Sequence, residues 1–578
     1  MWRFLRTLIA FVIAFFLTML IGGMLWVGVI TVGFSLAGGK SKESKPLTDE
    51  GWLRMSLSGE LKEYQEEPGI NISLLSIAFG GTMKRPPTLE KIRKALKEAA
   101  ENEKIKGIVL ELGDFTAYPA QVQQLGRWLL EFKQRSKKPI YAYGDYFSEL
   151  TYYLATYADT IVLYPRAGAF IEWNGLASEN IFFRKFFDKW GVKPKVFRVG
   201  RYKSAAENYT DEKFSEDNRQ QITTLLEDVW NEWIDSIAKR RGIPSESLRV
   251  WPERYIFLPA EVAYANKMVD LLSPWHVWVK RFIPKDKDEP AFVEVSQLAQ
   301  REEKKEKKDE QIAILYAEGG IGAEEDISAE KLVPVIQKIE KDEKVKAVVL
   351  RVNSPGGSVL DSDKITRALQ SLKTKKPLVV SMGGVAASGG YYISALANKI
   401  VSEPTTITGS IGVIALFFEL KELIEKHLEL RTDRVKVGGK YADFPTSLRE
   451  ATPEEDAYLQ GEINRIYEEF LSVVKEGRRY PSREAVHTIA QGRVWSGKDA
   501  RDIGLVDTLG GLETAITLAA QAASLKEYSL KVYPEPENFF QRWLKNFDLI
   551  KTYFTFSLRK RSLPDAFQMY WIDEFRIF

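Results

Sequence analysis

The sequence contains no cysteine and only three histidines among its 578 residues. The absence of cysteine excludes a thiol nucleophile, a disulfide and a thiolate metal site. His427 and His487 lie in stretches that read as helix surface, and His276 follows Pro274-Trp275 in a predicted loop. We interpret all three histidines as structural, which disfavours a histidine-dependent triad. We therefore expect no metal site and no cofactor.

An excess of charge of either sign is also missing. The chain has 82 basic and 79 acidic residues, a net charge of +3, whereas a nucleic-acid-binding protein usually carries a clear basic excess. We expect no nucleic-acid partner. The length predicts several domains.

The segment from Thr7 to Gly39 contains no charged residue. A membrane-spanning helix needs about 20 apolar residues, and a signal peptide has an apolar core of only about 7–15. We predict an uncleaved anchor over residues 1–39 (helix about 8–36) and a linker over 40–50, although Ser35-Leu36-Ala37 also fits a cleavage site. Basic residues on both sides of the span leave its orientation undetermined.

After the anchor the sequence repeats itself at one constant offset. Tyr391 follows Tyr152 by 239 residues, and Gly383 follows Gly144 by the same number. We predict a tandem duplication, with a first domain over 51–283, a charged linker over 284–310, a second domain over 311–535 and an aromatic-rich tail over 536–578. Short β-rich apolar runs alternate with helical patterns in each half, which predicts an α/β fold with a mostly parallel sheet.

Two glycine-rich turns mark the candidate site in the second half. The first turn is Asn353-Ser354-Pro355-Gly356-Gly357-Ser358, directly after a predicted strand. The second runs from Met382 to Gly390 and leads into a predicted buried helix, which places Ser388 near a helix N-terminus with free N–H donors. Such donors suit an oxyanion hole, but a helix-capping serine fits the same pattern. The repeat favours a functional serine, because its counterpart in the first half is Glu149. A serine nucleophile needs a base, and lysine is the natural candidate, although composition selects none.

The sequence resembles a known family, the signal peptide peptidase A (protease IV) family of the long, duplicated Gram-negative type. The resemblance covers nearly the whole chain. The motifs that carry it are RVNSPGGS (351–358), SMGGVAASGGYY (381–392), TGSIGV (408–413) and FRVGRYKSA (197–205).

The resemblance implies that Ser388 is the nucleophile and that Lys203, from the first half, is its general base. In short, unduplicated members of the family the lysine belongs to the same domain as the serine. The matching stretch here is VGGKYADF (437–444), where the corresponding position is Tyr441 or Ala442 and Lys440 lies next to it. Lys440 therefore stays open as an alternative base.

The resemblance also implies supporting roles. Ser410 matches a hydroxyl that orients the lysine amine. The backbone N–H groups of Gly389 and Gly357 match the oxyanion hole, with Gly356 as an alternative to Gly357.

The implied fold is the one shared by the Clp protease subunit and crotonase, here as two tandem domains after an N-terminal transmembrane helix. The implied protein is a single-pass enzyme of the bacterial inner membrane, a homotetramer with its catalytic domains in the periplasm. Its implied substrates are cleaved signal peptides and other apolar peptides. The alternatives are a crotonase-like acyl-CoA enzyme and an inactive membrane scaffold of the same fold.

Overall fold

The computed structural model describes residues 50–64, 86–283, 285–286, 289–303 and 308–535. Apart from Glu50, these residues belong to one compact unit that begins at Gly51. The predicted anchor, most of the predicted 40–50 linker and the tail over 536–578 lie outside the described residues. No helix within the described ranges is long and apolar enough to cross a membrane.

The first half is built on a parallel sheet of six strands, in the order β11-β1-β2-β3-β4-β8. The parts of its central strands that cross the core, residues 107–110 and 161–163, are buried and rich in Ile, Val and Leu, as strands covered on both faces are. The strands up to residue 294 are β1 Gly51–Glu60, β2 Ile105–Thr116, β3 Ile140–Gly144, β4 Thr160–Leu163, β5 Phe170–Ile171, β6 Lys193–Val199, β7 Leu258–Pro259, β8 Leu271–Leu272, β9 Lys285–Asp286, β10 Glu289–Pro290 and β11 Phe292–Glu294. The helices up to residue 303 are α1 Leu89–Glu101, α2 Pro119–Ser136, α3 Glu149–Ala155, α4 Arg184–Trp190, α5 Glu207–Thr210, α6 Glu216–Arg241, α7 Ser245–Arg254, α8 Ala260–Ala265, α9 Trp275–Phe282 and α10 Val295–Glu303.

The second half repeats this arrangement. Its sheet runs β20-β12-β13-β14, with β15 beside β14 and β19 beside β15, all parallel. Two further strands, β16 and the antiparallel β18, extend it from the distal part of β14. The strands are β12 Gln311–Glu318, β13 Val345–Ser354, β14 Leu378–Ala387, β15 Lys399–Ser402, β16 Ile407–Gly409, β17 Val413–Glu419, β18 Val494–Ser496, β19 Thr508–Leu509 and β20 Ser529–Tyr533. The helices are α11 Ala329–Lys341, α12 Val359–Lys373, α13 Gly389–Ala395, a π-helical turn Leu423–His427, α14 Pro453–Arg478, α15 Arg483–Ile489, α16 Gly497–Asp502 and α17 Leu512–Ala522.

Equivalent residues serve the same purpose in the two halves. The buried Tyr152 donates its hydroxyl to the carbonyl of Met268, and its repeat partner Tyr391 donates to the carbonyl of Leu505, both at 2.9 Å. The predicted α/β duplication is confirmed by the matching strand orders and by this shared contact.

The segment predicted to be a charged linker is partly built into the first half. Strand β11 pairs in parallel with β1, and α10 buries Val295, Leu298 and Ala299. The physical reason is a short apolar stretch that begins at Phe292, between the two highly charged runs. We therefore place residues 292–303 with the first half.

The halves are joined through a buried ion pair beside the second sheet. The guanidinium of Arg351 on β13 donates two hydrogen bonds to the carboxylate of Glu63 from the first half, at 2.9 and 3.0 Å. Arg351 also donates to the hydroxyl of Ser381 and the carbonyl of Met382 on β14. Both charged residues are almost completely buried, so removing one partner would leave an uncompensated charge in the interior.

A two-stranded antiparallel ribbon also crosses between the halves. Strand β6 of the first half pairs with β17 of the second, from Val199 opposite Val413 to Lys193 opposite Glu419. This register fixes the chain that follows Val199 beside the chain that precedes Val413. Residues 200–205 and 408–412 are therefore neighbours, although about two hundred residues separate them in the sequence.

Candidate active site

Ser388 lies at a sharp turn between β14 and α13. Its backbone has φ 53° and ψ −118°, a conformation that costs energy for a residue with a side chain. The N–H of Ser388 donates to the carbonyl of Gly409 at 3.0 Å, which helps to hold the turn. Its side chain makes no capping hydrogen bond to α13. The hydroxyl is therefore not occupied as a helix cap, the alternative that the sequence left open.

The two glycine-rich turns lie against each other at Ser388. A Cβ on Gly356 would lie 2.5 Å from the nitrogen of Gly389 and 2.8 Å from Cβ of Ser388. A Cβ on Gly389 would lie 3.3 Å from the nitrogen of Gly357. Only glycine allows so close an approach, and the result brings several backbone N–H groups beside one hydroxyl.

Hydrogen bonds distinguish the candidate N–H donors. Gly389 is the first residue of α13, where a backbone N–H has no acceptor within the helix. The N–H of Gly356 instead donates to the hydroxyl of Ser354 at 3.2 Å. The bonds from Ile321 N–H to the carbonyl of Gly356 and from Ser358 N–H to the carbonyl of Ile321 hold the chain around Gly357. This arrangement makes the N–H of Gly357 a better candidate than that of Gly356 to act with the N–H of Gly389 in an oxyanion hole.

Lys203 approaches Ser388 from the first half. Its Nζ lies 3.1 Å from Oγ of Ser388, 2.9 Å from Oγ of Ser410 and 3.1 Å from the carbonyl oxygen of Ser410. The β6–β17 ribbon explains this proximity, because Lys203 follows β6 and Ser410 precedes β17. The structure thus brings three of the predicted site residues into direct contact.

Burial governs the electrostatics of this lysine. Lys203 is only 7% exposed, and the cost of desolvating its ammonium lowers the pKa of Lys203 to about 7. In a large fraction of the molecules the amine of Lys203 is then neutral at neutral pH. A neutral amine within hydrogen-bond distance of a hydroxyl can accept its proton.

The alternative base and the repeat counterpart lie elsewhere. Lys440 is largely exposed and bonds to the carboxylate of Glu454, which raises the pKa of Lys440. Glu149 is the first residue of α3, and its carboxylate accepts a hydrogen bond from the N–H of Asn174. Burial raises the pKa of Glu149.

A turn that the sequence reasoning missed supports the lysine. The carbonyl of Gln491 accepts from Tyr202 N–H at 3.0 Å, and the carbonyl of Arg493 accepts from Ser410 N–H at 2.7 Å. Between them, a Cβ on Gly492 would lie 2.5 Å from Cβ of Lys203. A glycine between two polar residues was the only sequence signal for this turn, and it does not say what the turn contacts.

Comparison with known proteins places these features in context. The model of Peptidase family S49 matches residues 132–283 and 370–526, one segment in each half, and that of Clp protease matches 303–406. Protease 4 of Haemophilus influenzae is 34% identical, covering 86% of this chain and 83% of that protein. Protease 4 of Salmonella typhi is 31% identical, covering 93% and 88%.

Two further matches are less extensive. A putative signal peptide peptidase SppA of Enterococcus faecium is 33% identical over 40% of this chain and 66% of its own length. A solved structure of ClpP1 from Listeria monocytogenes is 17% identical, covers 36% of this chain and 95% of its own, and has a TM-score of 0.24. The sequence matches over most of the chain therefore carry the comparison.

Proposed function

The chain belongs to peptidase family S49 and is a serine protease, and we propose that it is a membrane-bound endopeptidase with a Ser388–Lys203 dyad. The observation that carries this proposal is the buried Nζ of Lys203 at 3.1 Å from Oγ of Ser388. The family assignment sets aside the acyl-CoA enzyme and the inactive scaffold.

In the proposed acylation step, Oγ of Ser388 attacks the scissile carbonyl carbon while the neutral amine of Lys203 takes the hydroxyl proton. The N–H groups of Gly389 and Gly357 donate to the oxyanion that forms. The ammonium of Lys203 then protonates the departing amine as the peptide bond breaks.

Deacylation uses the same groups in the reverse sense. Lys203, neutral again, takes a proton from a water that attacks the acyl-serine carbonyl, and Ser388 leaves as its hydroxyl once it is reprotonated. Ser410 orients the amine throughout, because its hydroxyl and its carbonyl oxygen both lie within hydrogen-bond distance of Nζ.

We propose cleaved signal peptides and other apolar peptides as substrates. The similarity to a putative signal peptide peptidase SppA of Enterococcus faecium supports this assignment. So do Val359 and Leu360, which follow the Gly357 turn directly and expose their apolar side chains. An apolar peptide segment would bury these side chains, with a gain of about 25 cal/mol per Å² of apolar surface.

We also propose the setting that the sequence resemblance implies. The protein is a single-pass homotetramer of the bacterial inner membrane, anchored by residues 1–39 with its catalytic domains in the periplasm. Sedimentation in detergent and protease accessibility of intact spheroplasts measure the assembly and the orientation.

A serine-reactive fluorophosphonate probe tests the dyad. We expect it to label Ser388, and we expect Ser388→Ala to abolish both labelling and hydrolysis of an apolar peptide ester while the protein stays folded. Ser394→Ala is the matched control, because Ser394 is a fully buried serine on α13 whose hydroxyl donates to the carbonyl of Gly390. Normal ester hydrolysis by Ser388→Ala would refute the assignment.

A further inference from the structure

A buried glutamine from the first half contacts the loop that carries Lys203. Gln221 lies on α6 and is 4% exposed. Its Nε2 lies 3.1 Å from the carbonyl oxygen of Tyr202 and 3.0 Å from Oγ of Ser204. These two residues flank Lys203 directly, so one side chain contacts the loop on both sides of the amine.

The other end of the same amide reaches the second half. Oε1 of Gln221 accepts a hydrogen bond from the N–H of Val494 at 3.3 Å. Val494 is the first residue of β18 and pairs with Gly409, the residue before Ser410. The preceding carbonyl, that of Arg493, accepts from Ser410 N–H. A single amide therefore joins the Lys203 loop to the strand that holds Ser410.

The amide is itself held in place. Its Nε2 also lies 3.0 Å from Oδ1 of Asn218, whose own Nδ2 donates to the buried carboxylate of Glu207 at 2.9 Å. An amide nitrogen has two hydrogens, and three acceptors surround this one. Deleting the side chain would remove the partner of two backbone groups, Tyr202 C=O and Val494 N–H, and a backbone group that loses its partner away from water destabilises the arrangement that contains it.

We propose that Gln221 is a positioning residue that holds Lys203 and Ser410 in register across the two halves. This inference rests on the proposed dyad. Gln221 contacts neither Ser388 nor Nζ of Lys203 among its hydrogen bonds in the described residues, so its effect acts through the loop. Without the amide the loop relaxes, Nζ moves away from the serine hydroxyl, and water reaches the amine.

The test compares Gln221→Met, which keeps the length of the side chain but removes every hydrogen bond, with Gln124→Met. Gln124 is an equally buried glutamine on α2 that also bridges the halves, through the N–H of Leu512. The readouts are the pH profile of kcat/KM, the separate values of kcat and KM, and the melting temperature. The melting temperature of both variants should fall.

For Gln221→Met we expect kcat to fall about 10–100-fold, since a displacement of about 1 Å can cost a factor of about 10². KM should change less than about twofold, and the acidic limb of the profile should move to higher pH as the amine is rehydrated. For Gln124→Met we expect the same kcat as the wild type and an acidic limb at the same pH.

An unchanged acidic limb in folded Gln221→Met overturns the proposal, as does the same shift in Gln124→Met. If Gln221→Met fails to fold, Gln221→Asn decides, because it keeps a neutral amide that is one methylene too short to reach both Tyr202 C=O and Val494 N–H. That variant must also show the raised limb. Failure of the dyad itself looks different: Ser388→Ala or Lys203→Ala would then remain active in the same assay.

Discussion

The buried lysine gives the sharpest prediction about this molecule. Lys203→Ala should lower kcat/KM by at least about 10³-fold, nearly as much as loss of the nucleophile, because members of a catalytic unit fail together. Lys440→Ala, at an exposed lysine paired with Glu454, should change kcat/KM less than about twofold. The acidic limb of the wild-type kcat/KM profile should lie near the folded-state pKa of about 7.

The same group sets a pH dependence of stability. The pKa of Lys203 falls from 10.5 in the unfolded chain to about 7 in the folded protein, and at 1.36 kcal/mol per unit this corresponds to roughly 5 kcal/mol. Between these values the unfolded chain holds a proton that the folded protein lacks, so the free energy of unfolding rises with pH. Below about pH 7 both states are protonated and the full cost of burying the charge is present.

Lys203→Met removes this cost. We expect the variant to be more stable than the wild type, most clearly below about pH 7, with a difference that shrinks by about 1.4 kcal/mol per pH unit up to 10.5. Urea unfolding at a series of pH values measures the difference. A stability difference independent of pH, or an acidic limb near pH 10, would refute the neutral buried amine. An inactive Lys440→Ala beside an active Lys203→Ala would move the dyad into the second half.

Four other changes follow from the same structure. Ser410→Ala removes the 2.9 Å contact to the amine, and kcat/KM should fall about 10-fold in the ester assay. Gly492→Ala forces a Cβ against the lysine and should lower kcat, whereas Gly461→Ala, with open space around it, should not. Glu149→Ala should leave turnover within about twofold, because Glu149 lies outside the proposed dyad; loss of activity in a folded variant would show that Glu149 works at the active site. Removal of residues 1–39 should release an active enzyme from the membrane, as fractionation and the same assay will measure.

Patterns in the sequence were sufficient for the duplication and for the turn at Ser388. The constant offset between Tyr152 and Tyr391 predicts two equivalent folds, and glycines around a serine predict a tight strand-to-helix turn. The first is a repeat that the sequence itself displays, and the second depends on residues close together in the chain. Lys203 is different, because its place beside Ser388 depends on the pairing of Val199 with Val413. Only the family resemblance indicated it.

Gln221 left no signal at all in the sequence. It reads as an ordinary polar residue on a long helix, and its importance arises from four contacts made by one buried amide. Such contacts depend on how two halves pack, which neither hydrophobic periodicity nor composition encodes. The same holds for Arg351 and Glu63, two charges that sequence alone would place at the surface.

The ribbon between β6 and β17 has a consequence for how the cell makes this protein. During synthesis the first half emerges from the ribosome and folds ahead of the second, and it carries the proposed base but no nucleophile. Ser388 follows Lys203 by 185 residues. The turn at 491–493, which bonds to the backbone of Tyr202 and Ser410, follows later still. On this arrangement a growing chain cannot cleave peptides until almost all of it has been translated. The order of the sequence thereby delays assembly of the proposed dyad until late in synthesis.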